Sequence, residues 1–406
     1  MKRFFTVAIA VLLLAGTSFA ITWQETLDKA ATSVNQIQSA KKQADASRWS
    51  YYRSLGSYLP QVTLSANSGV NYYPSGDANS YSYGISATQP LFRGFATTIN
   101  MQNAFAQSQY DQASLKNEEA ASYYQLRSAF IDVLVAQKNI DVQQKILAMR
   151  QENARMIKLL YDGGKEDQGN QMLTAAQVKE AEFQLESANR ALDLAKFNLS
   201  QMIDTTVVTV EGELASSFEA AVDLNKLSEQ SPSYTMSKYQ LEMAELNKKA
   251  VISEFLPSVS LSGNLSNSGS DWPPQNTNKS ISLNFSMPLF TGGTNMADYA
   301  IMSARLDKAR EDFVKAEKDQ LYALNSAYAD YRDAIDNLAI QQRYLAASEE
   351  RAKITQVKYL NGLASYNDWN SIQNEYITNQ RNINNFAKTA MLAEANFKKA
   401  YGGWIK

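Results

Sequence analysis

Apolar positions recur at two different periods along this chain, and the period changes at the prolines. From Phe95 to Asp162 and from Thr294 to Asn361 there is neither glycine nor proline, and each stretch is 68 residues long. Within them apolar side chains stand three or four positions apart, as at Tyr123, Leu126, Phe130 and Val133, and again at Leu321, Leu324, Tyr328 and Tyr331. That spacing predicts amphipathic or coiled-coil helices. An unbroken helix of this length reaches about 100 Å at a rise of 1.5 Å per residue. Around the prolines the period falls to two. Val62, Leu64, Ala66, Val70 and Tyr72 alternate with Gln61, Thr63, Ser65 and Asn71, and Tyr81, Tyr83, Ile85 and Ala87 alternate with Ser82, Gly84, Ser86 and Thr88. The same reading holds for Val259, Leu261 and Leu265, then Ile281, Leu283, Phe285 and Met287. These are strands with one apolar and one polar face.

The pattern occurs twice. Pro90-Leu91-Phe92-Arg93-Gly94 enters the first long stretch and Pro288-Leu289-Phe290-Thr291-Gly292 the second, and each leaves through Tyr-x-x-Gly. Phe92 and Phe290, Tyr161 and Tyr359, and Gly164 and Gly362 all stand 198 positions apart. A fixed offset of this kind defines structural repeats. The first repeat is set at 21–203, with a β-hairpin at 60–92, and the second at 233–406, with a hairpin at 257–290. Helices are expected over Ile21–Ser54 and Ser233–Glu254 before the hairpins, and returning helices over Asn170–Gln201 and Asp368–Lys399. Residues 204–232, with the β-prone run Thr205–Val210, read as a mixed connector.

Composition narrows the class. Met1-Lys2-Arg3, an apolar run from Phe4 to Ala15 and small residues at Ser18-Phe19-Ala20 describe a secretory signal peptide over 1–20. The run is shorter than the roughly 20 residues a spanning helix needs. Cleavage after Ala20 moves the formal net charge from −2 to −4, too mild to point to nucleic acid. There is no Cys and no His, which removes disulfides, thiolate chemistry, the commonest general base and the usual metal ligands. No catalytic, cofactor or metal site is expected. Without Cys, a lipid-bearing N-terminus is not expected either.

The strand pairs are about ten residues long, and their interiors read as charge-free. That fits membrane strands, which need roughly 9–11 residues. A hairpin of an exported sandwich domain has the same alternation; duplication beside two rods favours the membrane. Four strands cannot close a barrel, and lipid does not tolerate open edges, so the chain must oligomerise. Physics alone allows two or more copies.

Ile21-Thr22-Trp23-Gln24-Glu25-Thr26-Leu27-Asp28-Lys29-Ala30, Leu59-Pro60, Leu256-Pro257, Gln89-Pro90-Leu91-Phe92, Met287-Pro288-Leu289-Phe290 and Lys358 to Asp368 together resemble the TolC-like outer-membrane efflux protein family, in its unlipidated branch. The resemblance runs in order along essentially the whole mature chain. It implies an α plus membrane-β fold: a homotrimer with a 12-stranded outer-membrane β-barrel, continuing into a 12-helix periplasmic α-barrel tunnel. It also implies outer-membrane lipid as surroundings, a periplasmic adaptor (membrane fusion) protein, an inner-membrane transporter of RND, ABC or MFS type, and no chemistry of its own.

The same resemblance points to the turns that follow the rods. Acids at the start of the returning helices constrict the tunnel in the family, which marks Asp368, with Asn170 in place of the matching acid and Glu166 and Asp167 beside it. Capping of the helix is the other reading for Asp368, and the one the residue type favours. Tyr161 and Tyr359 are candidates either to latch neighbouring helices or simply to pack. Gly164 and Gly362 read as helix C-caps, and with Leu363 and Ser365 as the adaptor-docking tip. Pro90, Gly94, Pro288 and Gly292 read as corners between strand and rod.

Within transport, small-molecule efflux and type I protein secretion both remain open. A periplasmic adaptor would show one helical hairpin between lipoyl-like modules rather than two. A trimeric coiled-coil surface protein would show sustained heptads and no reversal at Gly164 and Gly362. An enzyme is the weakest reading, because the duplicated acids fall at helix turns rather than in a pocket.

Overall fold

A computed structural model of the chain describes residues 20–74, 76–216 and 223–404. The signal peptide expected over 1–20 lies outside the described residues apart from Ala20, as does 217–222 of the connector. The glycine- and proline-free stretches form two helices of 67 residues, α3 (Ala96–Asp162) and α7 (Thr294–Leu360). Each is followed after five residues by a returning helix of 36 residues, α4 (Gln168–Ile203) and α8 (Tyr366–Tyr401). Before the hairpins stand α1 (Trp23–Ser33) and α2 (Asn35–Leu55), and in the second repeat α6 (Pro232–Ile252), preceded by the short α5 (Leu224–Gln230). No described helix is long and apolar enough to cross a membrane.

One helix needs correction. The helix read as continuous over Ile21–Ser54 breaks at Val34, which is extended at φ −72° and ψ 111°. The cause is local. Thr32 and Ser33 both turn their hydroxyls back onto the Lys29 carbonyl, each at 2.9 Å, an alternative to the helical ladder. The β-prone run Thr205–Val210 contributes one parallel bridge, Val210 with Ile21. Ile21 N–H donates to the Thr209 carbonyl and Glu211 N–H to that of Ile21, each at 3.0 Å. The Gln137 side chain brackets Val210, accepting from its N–H at 3.1 Å and donating to its carbonyl at 3.4 Å.

The chain divides into two units. One comprises Asn35–Ser122, Ala220–Tyr328 and Phe397–Lys406, the other Met1–Val34, Tyr123–Glu219 and Ala329–Asn396. The first holds a four-stranded antiparallel sheet in the order β1 (Gln61–Asn71), β2 (Ala78–Arg93), β3 (Ser258–Gly269), β4 (Asn276–Ser286). Register places Leu64 opposite Ile85, Ile85 opposite Leu265, and Leu261 opposite Leu283. One face is therefore a band of exposed apolar side chains, with Leu64 75% and Ile281 84% accessible. The other face is Ser, Thr, Asn and Gln, as in Thr63–Ser86–Asn264–Ser280 across the sheet. The interiors are not wholly charge-free: β4 begins five residues before Ile281, so Lys279 falls inside it, opposite Leu265 on the apolar face. Helices of the same unit are tied by Asn103–Asn247 (2.6 Å) and by Tyr234 packing on Phe313.

In the other unit α3, α4 and α8 pack through Ile146, Ala181 and Ile377, and α3 carries a buried apolar run from Leu126 to Val135 around Phe130. Arg127 lies 4.7 Å over the Trp23 ring. Arg150 is buried and donates to Gln177 Oε1 (3.0 Å) and Asn374 Oδ1 (2.6 Å). Burial holds its guanidinium below the usual arginine range.

Candidate functional site

Both helix reversals have the same backbone. Gly164 and Gly362 adopt φ of 69° and 72°, a left-handed conformation that side chains with a Cβ disfavour by about 1–2 kcal/mol. The bonds around them match. Gly164 N–H donates to Tyr161 O at 2.9 Å and Lys165 N–H to Leu160 O at 2.8 Å; Gly362 N–H donates to Tyr359 O at 3.0 Å and Leu363 N–H to Lys358 O at 2.8 Å. This pair of bonds is the Schellman motif, which satisfies carbonyls a helix end leaves free.

The returning helices start differently. Asp167 caps α4, its carboxylate accepting from Asn170 N–H at 2.8 Å. At α8 the cap expected of Asp368 is Ser365, whose Oγ accepts from Asp368 N–H at 3.2 Å. Asp368 Oδ2 in turn accepts from Ser365 Oγ at 2.7 Å and from its N–H at 3.3 Å. That is a capping box with the acid three residues into the motif. At the 198-residue offset, Asp167 matches Ser365 and Asn170 matches Asp368. The acid missing at Asn170 has moved to the cap position three residues earlier, so each turn keeps one carboxylate in its cap pair.

Glu166 adds a link between the two turns. Asn170 Nδ2 donates to Glu166 Oε1 at 2.9 Å and to Asp167 Oδ2 at 3.0 Å. The Tyr359 hydroxyl donates to Glu166 Oε2. Tyr359 stacks on Trp369 (5.1 Å, 13°) beside Tyr366, and Tyr366 and Trp369 are buried with Ile157. Burial first, then the bond to Glu166 and its charge, raise the Tyr359 phenol above the ordinary tyrosine range; burial and Glu166 also raise Tyr366. Tyr161, at the matching place, is 38% exposed, and only its backbone carbonyl takes part in the turn. The aromatic cluster was not singled out from sequence, although Tyr366 and Trp369 stand at helical spacing beside Tyr359.

At the other candidate positions, Gly94 has φ 57°, and a Cβ there would come within 2.5 Å of the Ser253 carbonyl. Glycine is required twice over. Gly292 has φ 65° in open space. Pro90 pairs with Ser260 in β2, and Pro288 follows the end of β4. Phe95, next to Gly94, takes φ 69° where Gly293 (φ 89°) stands in the second repeat. Among the described residues no group of three or more acids could hold a metal ion.

A duplicated hairpin sheet with one apolar and one polar face, joined to rods with matched reversals, defines a channel-wall subunit. The chain belongs to the outer membrane efflux protein family, whose model matches residues 26–204 and 224–403. It is 27% identical over 340 residues to the outer membrane efflux protein BepC of Brucella suis, covering 78% of this chain and 72% of BepC. With the cation efflux system protein CusC of Escherichia coli K12 it shares 22% over 361 residues, 86% of this chain and 77% of CusC. The alkaline protease secretion protein AprF of Pseudomonas aeruginosa matches at 22% over 347 residues, 78% and 71% of the two chains. A crystal structure of CusC superposes with a TM-score of 0.84 at 14% identity, covering 93% of this chain and 91% of that one. The protein is thus an outer-membrane efflux protein.

Proposed function

We propose that the chain forms the exit duct of a tripartite system, a passive channel through which an inner-membrane transporter drives small toxic molecules out of the cell. The observation that carries this reading is the sheet: four strands, one apolar face, one polar face uncharged up to the last residue of β2, and β1 and β4 left as open edges. Open edges cannot stay in lipid. Three copies would close them into a 12-stranded barrel, with the helices forming a 12-helix tunnel, and each copy would supply two repeats, 21–203 and 233–406, around the connector 204–232. The reversals would form the periplasmic end. There Asp368, Asp167 and Glu166, helped by Asn170 and Tyr359, would ring the pore with carboxylates, which favour cations, while Tyr161 would reach a neighbouring helix. Gly164, Gly362 and Ser365, together with Leu363, which is 77% exposed, would meet a periplasmic adaptor, itself bound to an RND, ABC or MFS transporter.

BepC and CusC, by their names, support efflux, of cations in the case of CusC; AprF supports protein secretion as the second reading. A heat-modifiable oligomer in outer-membrane fractions, forming pores in planar bilayers, is the expected result, and a soluble monomer would sink the proposal. Asp368→Ala should lower cation preference. Susceptibility of a deletion strain to dyes and detergents, set against loss of a secreted protein, separates the two cargoes.

A further inference from the structure

The polar face of the sheet carries no charge until the last residue of β2. Along β2, Tyr83, Ile85 and Ala87 share the apolar face, and an unbroken strand would put Arg93 there with them. The register against β3 instead shifts between Pro90 and Phe92: Pro90 pairs with Ser260, Phe92 with Val259 and Arg93 with Ser258. Leu91 is therefore an extra residue. A one-residue bulge exchanges the faces of everything beyond it. Phe92 joins the apolar face, meeting Phe95 edge-on at 5.2 Å, and Arg93 moves to the polar face beside Ser258.

Arg93 and Ser258 line a cleft of about 900 Å³ together with Asn100, Asn247, Glu254 and Arg305. Among the described residues neither Arg93 nor Arg305 makes an ion pair. Arg305 reaches only the Met302 sulfur, at 3.9 Å. Two guanidinium groups face one carboxylate in the cleft, which leaves it net cationic and open. The second repeat offers no equivalent, since Thr291 stands where Arg93 would be.

We propose that Arg93 and Arg305 form an oxyanion-attracting collar where the polar face of the sheet meets the helices, engaging carboxylate or phosphate groups on cargo entering the barrel. The planar guanidinium fork suits such groups, and a ring of arginines favours anions. The inference rests on the duct reading, because only a closed barrel makes the polar face a lumen.

The test uses the full oligomer in planar bilayers of zwitterionic lipid under a potassium chloride gradient. The Arg93→Gln/Arg305→Gln double variant is expected to shift the reversal potential toward cation selectivity, with the chloride-to-potassium permeability ratio falling by at least about two-fold. Arg93→Lys should keep most of the wild-type ratio. Phosphorus analysis of the detergent-purified protein, expected to be unchanged, distinguishes cargo from lipid phosphate. An unchanged reversal potential in open channels overturns the collar. So does a loss of bound phospholipid without a change in selectivity. If the double variant does not assemble, Arg305→Gln alone is read by the same measure. Wild type without pores overturns the duct reading itself, and the collar with it.

Discussion

The two helix reversals follow the same backbone path and are held by different forces. Where the second has Tyr359, Tyr366 and Trp369, the first has Tyr161, Gln168 and Gln171 at the same offset. The second turn supplies buried aromatics, Tyr366 and Trp369, which pack on Ile157 near the end of α3. The first is anchored by carboxylates: Asp167 on the helix start, Glu166 on Asn170 and on the Tyr359 hydroxyl. A path set by a left-handed glycine and two carbonyl bonds can be duplicated without its fastening. Residues 163–170 contribute nothing to that cluster, and apolar burial costs more to undo than exposed or part-buried hydrogen bonds, so the first turn is the one that opens at lower cost.

The sharpest way to break this comparison is to truncate the matched positions Trp369 and Gln171 in turn. Trp369→Ala should cost about 3–5 kcal/mol, as for other buried aromatics, while Gln171→Ala should stay within about 0.5 kcal/mol. Thermal unfolding followed by circular dichroism reads both, and equal losses would erase the asymmetry. Next come the glycines. Gly164→Ala and Gly362→Ala should each cost about 1–2 kcal/mol, and equally, because a Cβ at either meets nothing within 4 Å. Unequal costs would mean the shared path is not shared energetically.

Tyr359→Phe should cost about 1 kcal/mol, with hydrogen exchange rising over 163–170 more than over 361–368. The same bond has a pH signature. The Tyr359 phenol is raised by burial and by Glu166, so its contribution is fully present below the ordinary value of 10.0 and is lost as pH rises through its own higher pKa. Protection at the first turn, taken relative to the base-catalysed intrinsic exchange rate, should therefore fall above pH 10.0 in the wild type and not in Tyr359→Phe. The smallest effects concern the caps. Asp167→Ala should cost about 1 kcal/mol as a cap residue, and Asp368→Ala about 0.5 kcal/mol, because Ser365 still caps α8. Limited proteolysis at each turn ranks the two.

The rods and hairpins were legible because they rest on long repeated patterns. A helix of 67 residues needs many compatible positions and no proline, and period-two alternation persists over ten. What stayed hidden depends on single residues. Val34 ends α1 because two hydroxyls share one carbonyl. Leu91 changes the face of Arg93 only because the partner strand's register shifts. Lys279 entered β4 because pairing with β3 extends the strand beyond its apolar run. At the turns, a lone acid looked like a cap, and only the bonds of Ser365 show which residue caps.

The bridge between Ile21 and Val210 has a consequence for the order in which the protein is made. Ile21 is among the earliest described residues to leave the ribosome and the translocon, yet the backbone groups it pairs with, on Thr209 and Glu211, emerge far later. The unit that contains them draws on three separate stretches, the last being Ala329–Asn396. That unit cannot be completed until nearly the whole chain has been delivered, and until then its apolar helix faces are open to other chains. Delivery of this protein therefore imposes a waiting period on it, whose length is set by topology rather than by stability.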